Sequence, residues 1–208
     1  DLFAENPTND SVGAEFSSFE SLKTTPHDYQ LIENEEEARK LFDFFVTKRI
    51  LSLDTETTSI NPVDAELVGL SFAVEEGKAF YVAIPAEREK AQTIVNIFKP
   101  LYESTKILKI GQNIKYDMEV LMNYGVRMAA PMFDTMIAHY VLQPEQKHNM
   151  DILAETLLGY QTVHIDELIG PKGKGQKNMR DLSPADICDY AAEDADVTLR
   201  LYLSLIHI

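Results

Sequence analysis

A chain of 208 residues with 45% hydrophobic side chains is long enough for one domain with a full core, and that composition excludes a disordered protein. No apolar run approaches the roughly 18 residues of a membrane span, no basic-then-apolar leader opens the chain, and the single cysteine, Cys188, excludes an internal disulfide. The net charge of −15 argues against a bulk nucleic-acid binder, which carries a basic surface, although residues 1–40 hold ten acids against three bases and so supply nearly half of it.

Residues 1–26 are rich in Ser, Thr, Asn, Glu and Pro and show no sustained periodicity, which reads as an acidic linker ahead of a folded domain at 27–208. Because the first residue is Asp1 rather than Met, the chain is expected to be a piece of a longer polypeptide. Ala38, Leu41, Phe42, Phe45 and Val46 form a helical stripe over residues 35–48, with Asn34 placed to cap it. Residues 50–56 read as a mostly buried strand, and 66–74 and 79–84 as two more, joined by a turn at 75–78. A helix over 87–102 turns Ile94, Val95, Ile97 and Phe98 inward, with Pro100 as a point of kinking or shortening. A short strand follows at 106–110, then helices at 114–124, 133–142 and 150–158, the second capped near Asp134. Residues 161–183 read as irregular, with a Gly/Lys loop at 171–176. Ser183 as N-cap, Pro184 at the first helical position and Asp186 at N3 open a last long helix that runs to about Leu205. Three strands with short turns predict an antiparallel meander, and a fourth reached through a helix predicts a parallel neighbour. The order therefore predicts a mixed-sheet α/β domain.

Asp54 and Glu56 stand two apart in a strand and leave one face. Two acids there either need a cation to offset their burial or mark a strand end turning to solvent beside Thr57, Thr58 and Ser59. Asp117 falls in the first turn of a helix, where the helix dipole favours negative charge. Tyr190 and Asp194 stand four apart and share a helix face. Alone, Asp194 reads equally as part of a solvated face with Glu193 and Asp196. Together, four carboxylates converging from a strand, a helix start and a late helix are a donor set for hard divalent cations, which take oxygen ligands. Two such ions form the clamp used for in-line attack on a phosphodiester, and a neutral tyrosine beside them can orient a water. Asp196 points away from the shared face and stays outside the set.

At Leu53-Asp54-Thr55-Glu56-Thr57, at Gly111-Gln112-Asn113-Ile114-Lys115-Tyr116-Asp117 and at Tyr190-Ala191-Ala192-Glu193-Asp194-Ala195-Asp196-Val197-Thr198 the chain resembles the 3′→5′ proofreading exonuclease domain of bacterial DNA polymerase I, in the tyrosine-bearing branch of the DEDD superfamily. The resemblance covers about residues 29–203. It implies a ribonuclease-H-like fold and two divalent cations, Mg²⁺ with Mn²⁺ or Zn²⁺ as substitutes. Asp54, Glu56 and Asp194 would hold one ion, and Asp54 with a water network from Asp117 the other, while Tyr190 orients the attacking water. The implied positions for a frayed 3′ end are Thr55, Ile60 as a wedge near the terminal base, Gln112, Asn113 and Tyr116. Lys147 matches a position where the family often sets an arginine on phosphate; lysine keeps the charge and loses the fork. Ile165 matches a position where some members stack a phenylalanine, and keeps only apolar contact. Lys172, Lys174, Lys177 and Arg180 form a local basic cluster, read either as a solvated loop or as a phosphate-contacting one.

The expected activity is removal of nucleoside 5′-monophosphates from the 3′ end of single-stranded or frayed DNA, with no polymerase activity in this piece. The resemblance also implies a polymerase domain after residue 208, a possible 5′-nuclease domain ahead of the linker, a bacterial cytoplasm near the nucleoid, no membrane, and a monomer. Two alternatives stand beside it: an RNA-trimming exonuclease of the same superfamily, and a non-catalytic spacer domain of a polymerase, against which the intact acid set counts.

Overall fold

The computed structural model describes residues 18–173 and 175–207. Residues 1–17 of the expected linker and Lys174 of the basic loop lie outside the described residues. The chain begins with β1 (Glu20–Ser21), β2 (Asp28–Ile32) and α1 (Glu35–Phe45). Next come the strands β3 (Ile50–Thr57), β4 (Leu67–Glu75) and β5 (Lys78–Ala83), then α2 (Arg88–Tyr102), β6 (Leu108–Gly111), α3 (Ile114–Met122), β7 (Met132–Asp134) and α4 (Thr135–Leu142). Helix α5 (Met150–Leu153) runs into a π-helical turn (Ala154–Leu158), and β8 (Tyr160–Gln161), α6 (Ile165–Ile169), a 3₁₀ turn (Met179–Asp181) and α7 (Pro184–Leu205) complete the chain.

Six strands form one sheet in the order β2-β5-β4-β3-β6-β7. The expected meander is β3-β4-β5, antiparallel throughout, and the expected crossover strand β6 lies parallel to β3. This is the mixed α/β architecture of ribonuclease-H-like domains. The edge strands β2 and β7, both parallel to their neighbours, were not expected. β2 alternates exposed and partly buried residues over only five positions, and β7 is three residues long. Neither length carries a readable period. Phe133, expected in a helix, is therefore in β7, and the helix starts at Thr135. The segment expected to be irregular contains Gln161 of β8, α6 and the 3₁₀ turn, and Glu20–Ser21 within the expected linker pair in parallel with Tyr160–Gln161. These pieces are short and are held by partners distant in sequence.

Local chemistry accounts for the longer elements. Asn34 accepts the Glu37 N–H and opens α1, whose Ala38, Leu41 and Phe45 are buried. Helix α2 continues through Pro100 to Tyr102, because its last turn is held by burial of Phe98, Leu101 and Tyr102. One face of the sheet packs on α1, α2 and α3 through Leu51, Leu53, Phe72, Phe45 and Phe98. The other face receives α7, where Ala192, Ala195 and Leu199 sit on Ala73, Ala79 and Ile110. Small residues on both sides let the helix backbone approach the sheet closely. Gly69 allows a second close approach, since a Cβ there would lie 2.0 Å from the ring of the fully buried Tyr81. Among the described residues no helix is long and apolar enough to cross a membrane.

Asp134 joins two of these helices. Its Oδ1 accepts the N–H groups of Met136 at 2.9 Å and Ile137 at 3.1 Å, capping α4. The same carboxylate accepts Asn113 N–H at 3.2 Å and Ile114 N–H at 2.9 Å, closing the start of α3. Asp134→Ala removes both caps at about 1 kcal/mol each. For a domain of this size a loss of about 2 kcal/mol lowers Tm by roughly 4–8 °C in a thermal melt. An unchanged Tm would show that the clamp holds nothing.

Candidate active site

Strand alternation divides the end of β3. Leu51 and Leu53 enter the core beneath α1 and α2, while Asp54 and Glu56 leave the opposite face, toward α7. There they meet Asp194. Ligand oxygens of Asp54, Glu56 and Asp194 lie within 4.8 Å of one another. Glu56 and Asp194 are buried, and Oε1 of Glu56 is buried with no hydrogen-bond partner. Close approach of α7 on its alanines places a third acid here, and the position is unfavourable for every one of them. Burial pushes the Asp54 carboxyl up to about 6. Glu56 is raised by burial first, then by Asp54 and Asp117. Asp194 is raised by burial, then by Asp54, Glu56 and Glu193. Three crowded carboxylates, one with an orphaned oxygen, fit a hard divalent cation, whose charge inverts this local balance.

Asp117 stands beside this group without belonging to it. It is buried in the first turn of α3 and accepts the Thr55 hydroxyl at 2.7 Å. Its carboxyl is raised by burial and then by Asp54, against the lowering effect of Thr55. Tyr190 lies one helical turn before Asp194. Burial, followed by the charges of Asp194, Glu56 and Asp54, pushes its phenol well above the ordinary range, so it stays neutral.

A cleft of about 510 Å³ opens at the end of β3, and its walls include Thr55, Glu56, Ile60, Asn113, Tyr116 and Ile165. Ile60 is 98% exposed at the rim, and Ile165 is exposed across from it. The Tyr116 hydroxyl meets the Thr57 hydroxyl at 2.5 Å and donates to Ser59 O. Asn113 takes a left-handed backbone, φ 58°, held by Asp134.

The Gln112 side chain is engaged within the fold: its amide donates to His148 O at 2.7 Å and accepts the Thr135 hydroxyl. Two expectations need correction. Arg180 does not extend toward a phosphate. Its guanidinium turns inward onto Ile84 O at 2.6 Å and onto Leu67 O, just past the end of β5 and at the start of β4. Glu193 and Asp196 are not on a solvated face. Glu193 is fully buried, and Asp196 accepts from Tyr29 Oη at 2.9 Å and Gly77 N–H at 2.8 Å. Lys147 is exposed and lies outside the cleft lining. Lys177 and Asn178 do line it, with Asn178 donating to Thr58 O at 2.7 Å. Sequence reasoning missed Asn178, because a lone Asn in an irregular segment carries no local signal.

Residues 29–207 match the protein family described as a 3′-5′ exonuclease. The chain is 39% identical over 178 residues to DNA polymerase I of Pseudomonas aeruginosa, across 79% of this chain and 19% of that protein. It is 31% identical over 204 residues to DNA polymerase I of Borreliella burgdorferi, across 97% of this chain and 22% of that protein. The chain thus spans about a fifth of the length of these curated relatives. In fold it is similar to RNase D of Trypanosoma brucei, with a TM-score of 0.71 at 15% identity over 86% of this chain and 65% of that one.

Groups whose carboxyls are raised by folding contribute stability below their unfolded pKa and lose it as pH rises through the folded one. For Asp54 that loss begins in the ordinary carboxylate range and is complete once the pH has risen through about 6, and Glu56, Asp117 and Asp194 shift in the same direction. In EDTA, Tm is therefore expected to fall by several degrees between about pH 5 and about pH 8, and millimolar Mg²⁺ should restore it at the higher pH. A pH-independent Tm in EDTA, or no effect of Mg²⁺ at the higher pH, would contradict the cluster's electrostatics.

Proposed function

Because this chain belongs to the 3′-5′ exonuclease family that includes the proofreading domain of bacterial DNA polymerase I, we propose that it hydrolyses the terminal phosphodiester at the 3′ end of single-stranded or frayed DNA and releases nucleoside 5′-monophosphates. The chain is a metal-dependent exonuclease of the DEDD superfamily. The carrying observation is the cluster Asp54, Glu56 and Asp194 beside a cleft wide enough for a nucleotide end. DNA as the substrate is supported by the identity to the two DNA polymerases.

Divalent cations held by Asp54, Glu56 and Asp194, with Asp117 acting through water, would supply Lewis-acid polarisation of the phosphodiester and a lowered pKa for the attacking water. The chain's own residues do the positioning. Tyr190, kept neutral, orients a water beside Asp194 through a hydroxyl that both donates and accepts. Ile60 separates the terminal base from its neighbour, and Ile165 gives it an apolar wall. Asn113 and Tyr116 fix the end of the strand between them. Lys177 offers a cation to the phosphates where Arg180 does not. Gln112 acts one step back, by pinning His148 and thus the segment that carries Lys147. In the parent protein, whose relatives are about five times longer, a polymerase domain would deliver the frayed end.

Digestion of end-labelled DNA and RNA oligonucleotides, in parallel and with Mg²⁺, tests this reading. A ladder shortening from the 3′ end of DNA is expected, abolished by EDTA and by Asp54→Ala. Faster trimming of RNA would move the substrate to RNA, and intact DNA and RNA would leave a spacer domain. Tyr190→Phe should slow turnover by roughly a hundredfold, the scale of a misplaced reactant, with Mg²⁺ affinity unchanged, whereas Asp194→Ala should lose both. Equal loss of metal affinity in the two variants would show that Tyr190 is not a water-orienting group.

A further inference from the structure

Glu193 adjoins the ligand Asp194 in sequence but faces away from the carboxylate cluster. Its side chain is fully buried. Oε1 accepts the Tyr160 hydroxyl at 2.6 Å, and Oε2 accepts the Val163 N–H at 2.7 Å. Tyr160 lies in β8, and Val163 lies in the strap that runs from β8 to α6. Two residues past Val163, α6 begins at Ile165, and its Ile165 and Ile169 form one wall of the cleft. Apolar packing also joins this region to α7: Tyr160 clusters with Val197 and Leu201, and Leu168 and Ile169 of α6 with Ile187, Cys188 and Ala191, so that Glu193 adds the side-chain hydrogen bonds to that packing. The Arg200 guanidinium lies over the Tyr160 ring at 4.5 Å, while Thr162 donates to Asp151 at 2.8 Å rather than to α7. Each oxygen of this buried carboxylate holds a donor, so the group is satisfied within the protein.

We infer that Glu193 is a positioning residue that ties the apolar wall of the cleft to the helix turn carrying Asp194, and so sets the spacing between the seat of the terminal base and the carboxylates. The inference rests on reading the cleft as the seat of a single strand. A substrate that occupies only the carboxylate cluster should be indifferent to this tether. One that lies against α6 should depend on it.

Substitution chemistry separates a tether from an electrostatic role. Glu193→Gln removes the charge and keeps the reach, since the amide oxygen accepts from Val163 N–H and the amide N–H donates to Tyr160 Oη. Glu193→Asp keeps the charge and loses the reach. Tyr160→Phe removes one of the two bonds without altering charge or length. For a single-stranded oligonucleotide of whichever sugar the wild type degrades, Glu193→Asp is expected to raise KM about tenfold and Tyr160→Phe several-fold, with kcat within twofold. Glu193→Gln should stay near wild type. All three should hydrolyse bis(p-nitrophenyl) phosphate, a small ester that carries no base, at the wild-type rate. Hydrogen exchange reads the tether without any substrate: amides of 163–169 should exchange faster in Glu193→Asp while α7 stays protected. If Glu193→Gln proves worse than Glu193→Asp, or if hydrolysis of the small ester falls with that of the oligonucleotide, the residue acts on the metal cluster and the tether is wrong. Unchanged exchange at 163–169 overturns it as well. A wild type that cleaves neither DNA nor RNA counts against the nuclease reading alone, because the exchange experiment still decides the tether.

Discussion

Mutual repulsion among buried carboxylates is the constraint on which the site depends. Asp54, Glu56 and Asp194 share a space of a few ångströms, and Asp117 adds a fourth charge nearby. Removing even one unpaired carboxylate from water is expensive. The surrounding fold holds the arrangement by burial on both faces of a rigid sheet. Leu51, Leu53, Phe72 and Phe98 fill one side, and the alanine face of α7 closes the other. Neither layer offers the acids a compensating donor for the Glu56 oxygen. A fold that supports this much unfavourable electrostatics directs it to a cation.

The acids that the fold itself satisfies make the contrast visible. Asp134 accepts four backbone N–H groups at two helix starts. Asp196 accepts from Tyr29 and Gly77. Glu193 accepts from Tyr160 and Val163. Each is satisfied within the protein and joins elements distant in sequence. The four-residue run Glu193 to Asp196 thus carries three acids in two trades, because successive residues of a helix point about 100° apart. Asp194 faces β3, while Glu193 and Asp196 face β8 and the turn after β4. The negative charge that argued against a nucleic-acid protein is partly of this structural kind. It lies inside, tied to hydroxyls and amides, rather than on the surface that meets a substrate.

Substrate-facing geometry comes from loops that the scaffold fixes. Asn113 holds a left-handed backbone because Asp134 anchors its N–H, which brings the start of α3 to the cleft. Asn178 ties the chain ahead of the 3₁₀ turn to Thr58, just past the end of β3. Ile60 stands exposed at the rim between these supports. Such precision in a short loop depends on anchors from several elements, each too weak to hold the loop alone.

The sequence by itself determined the long elements and the chemistry of the acids. The stripe of α1, the meander β3-β4-β5, and the Ser183-Pro184 start of α7 are encoded within a few residues, where periodicity and capping act. The two-residue spacing of Asp54 and Glu56 and the four-residue spacing of Tyr190 and Asp194 are likewise local, so their shared faces were legible. Tertiary structure alone decided the rest. The edge strands β2 and β7, the pairing of β1 with β8, and the inward turn of Arg180 each depend on partners far along the chain. The engagement of Gln112 with His148 and Thr135 depends on distant partners in the same way. Which carboxylate joins the cluster and which is hydrogen-bonded within the fold is likewise a matter of what stands opposite each one, and a linear pattern does not contain that information.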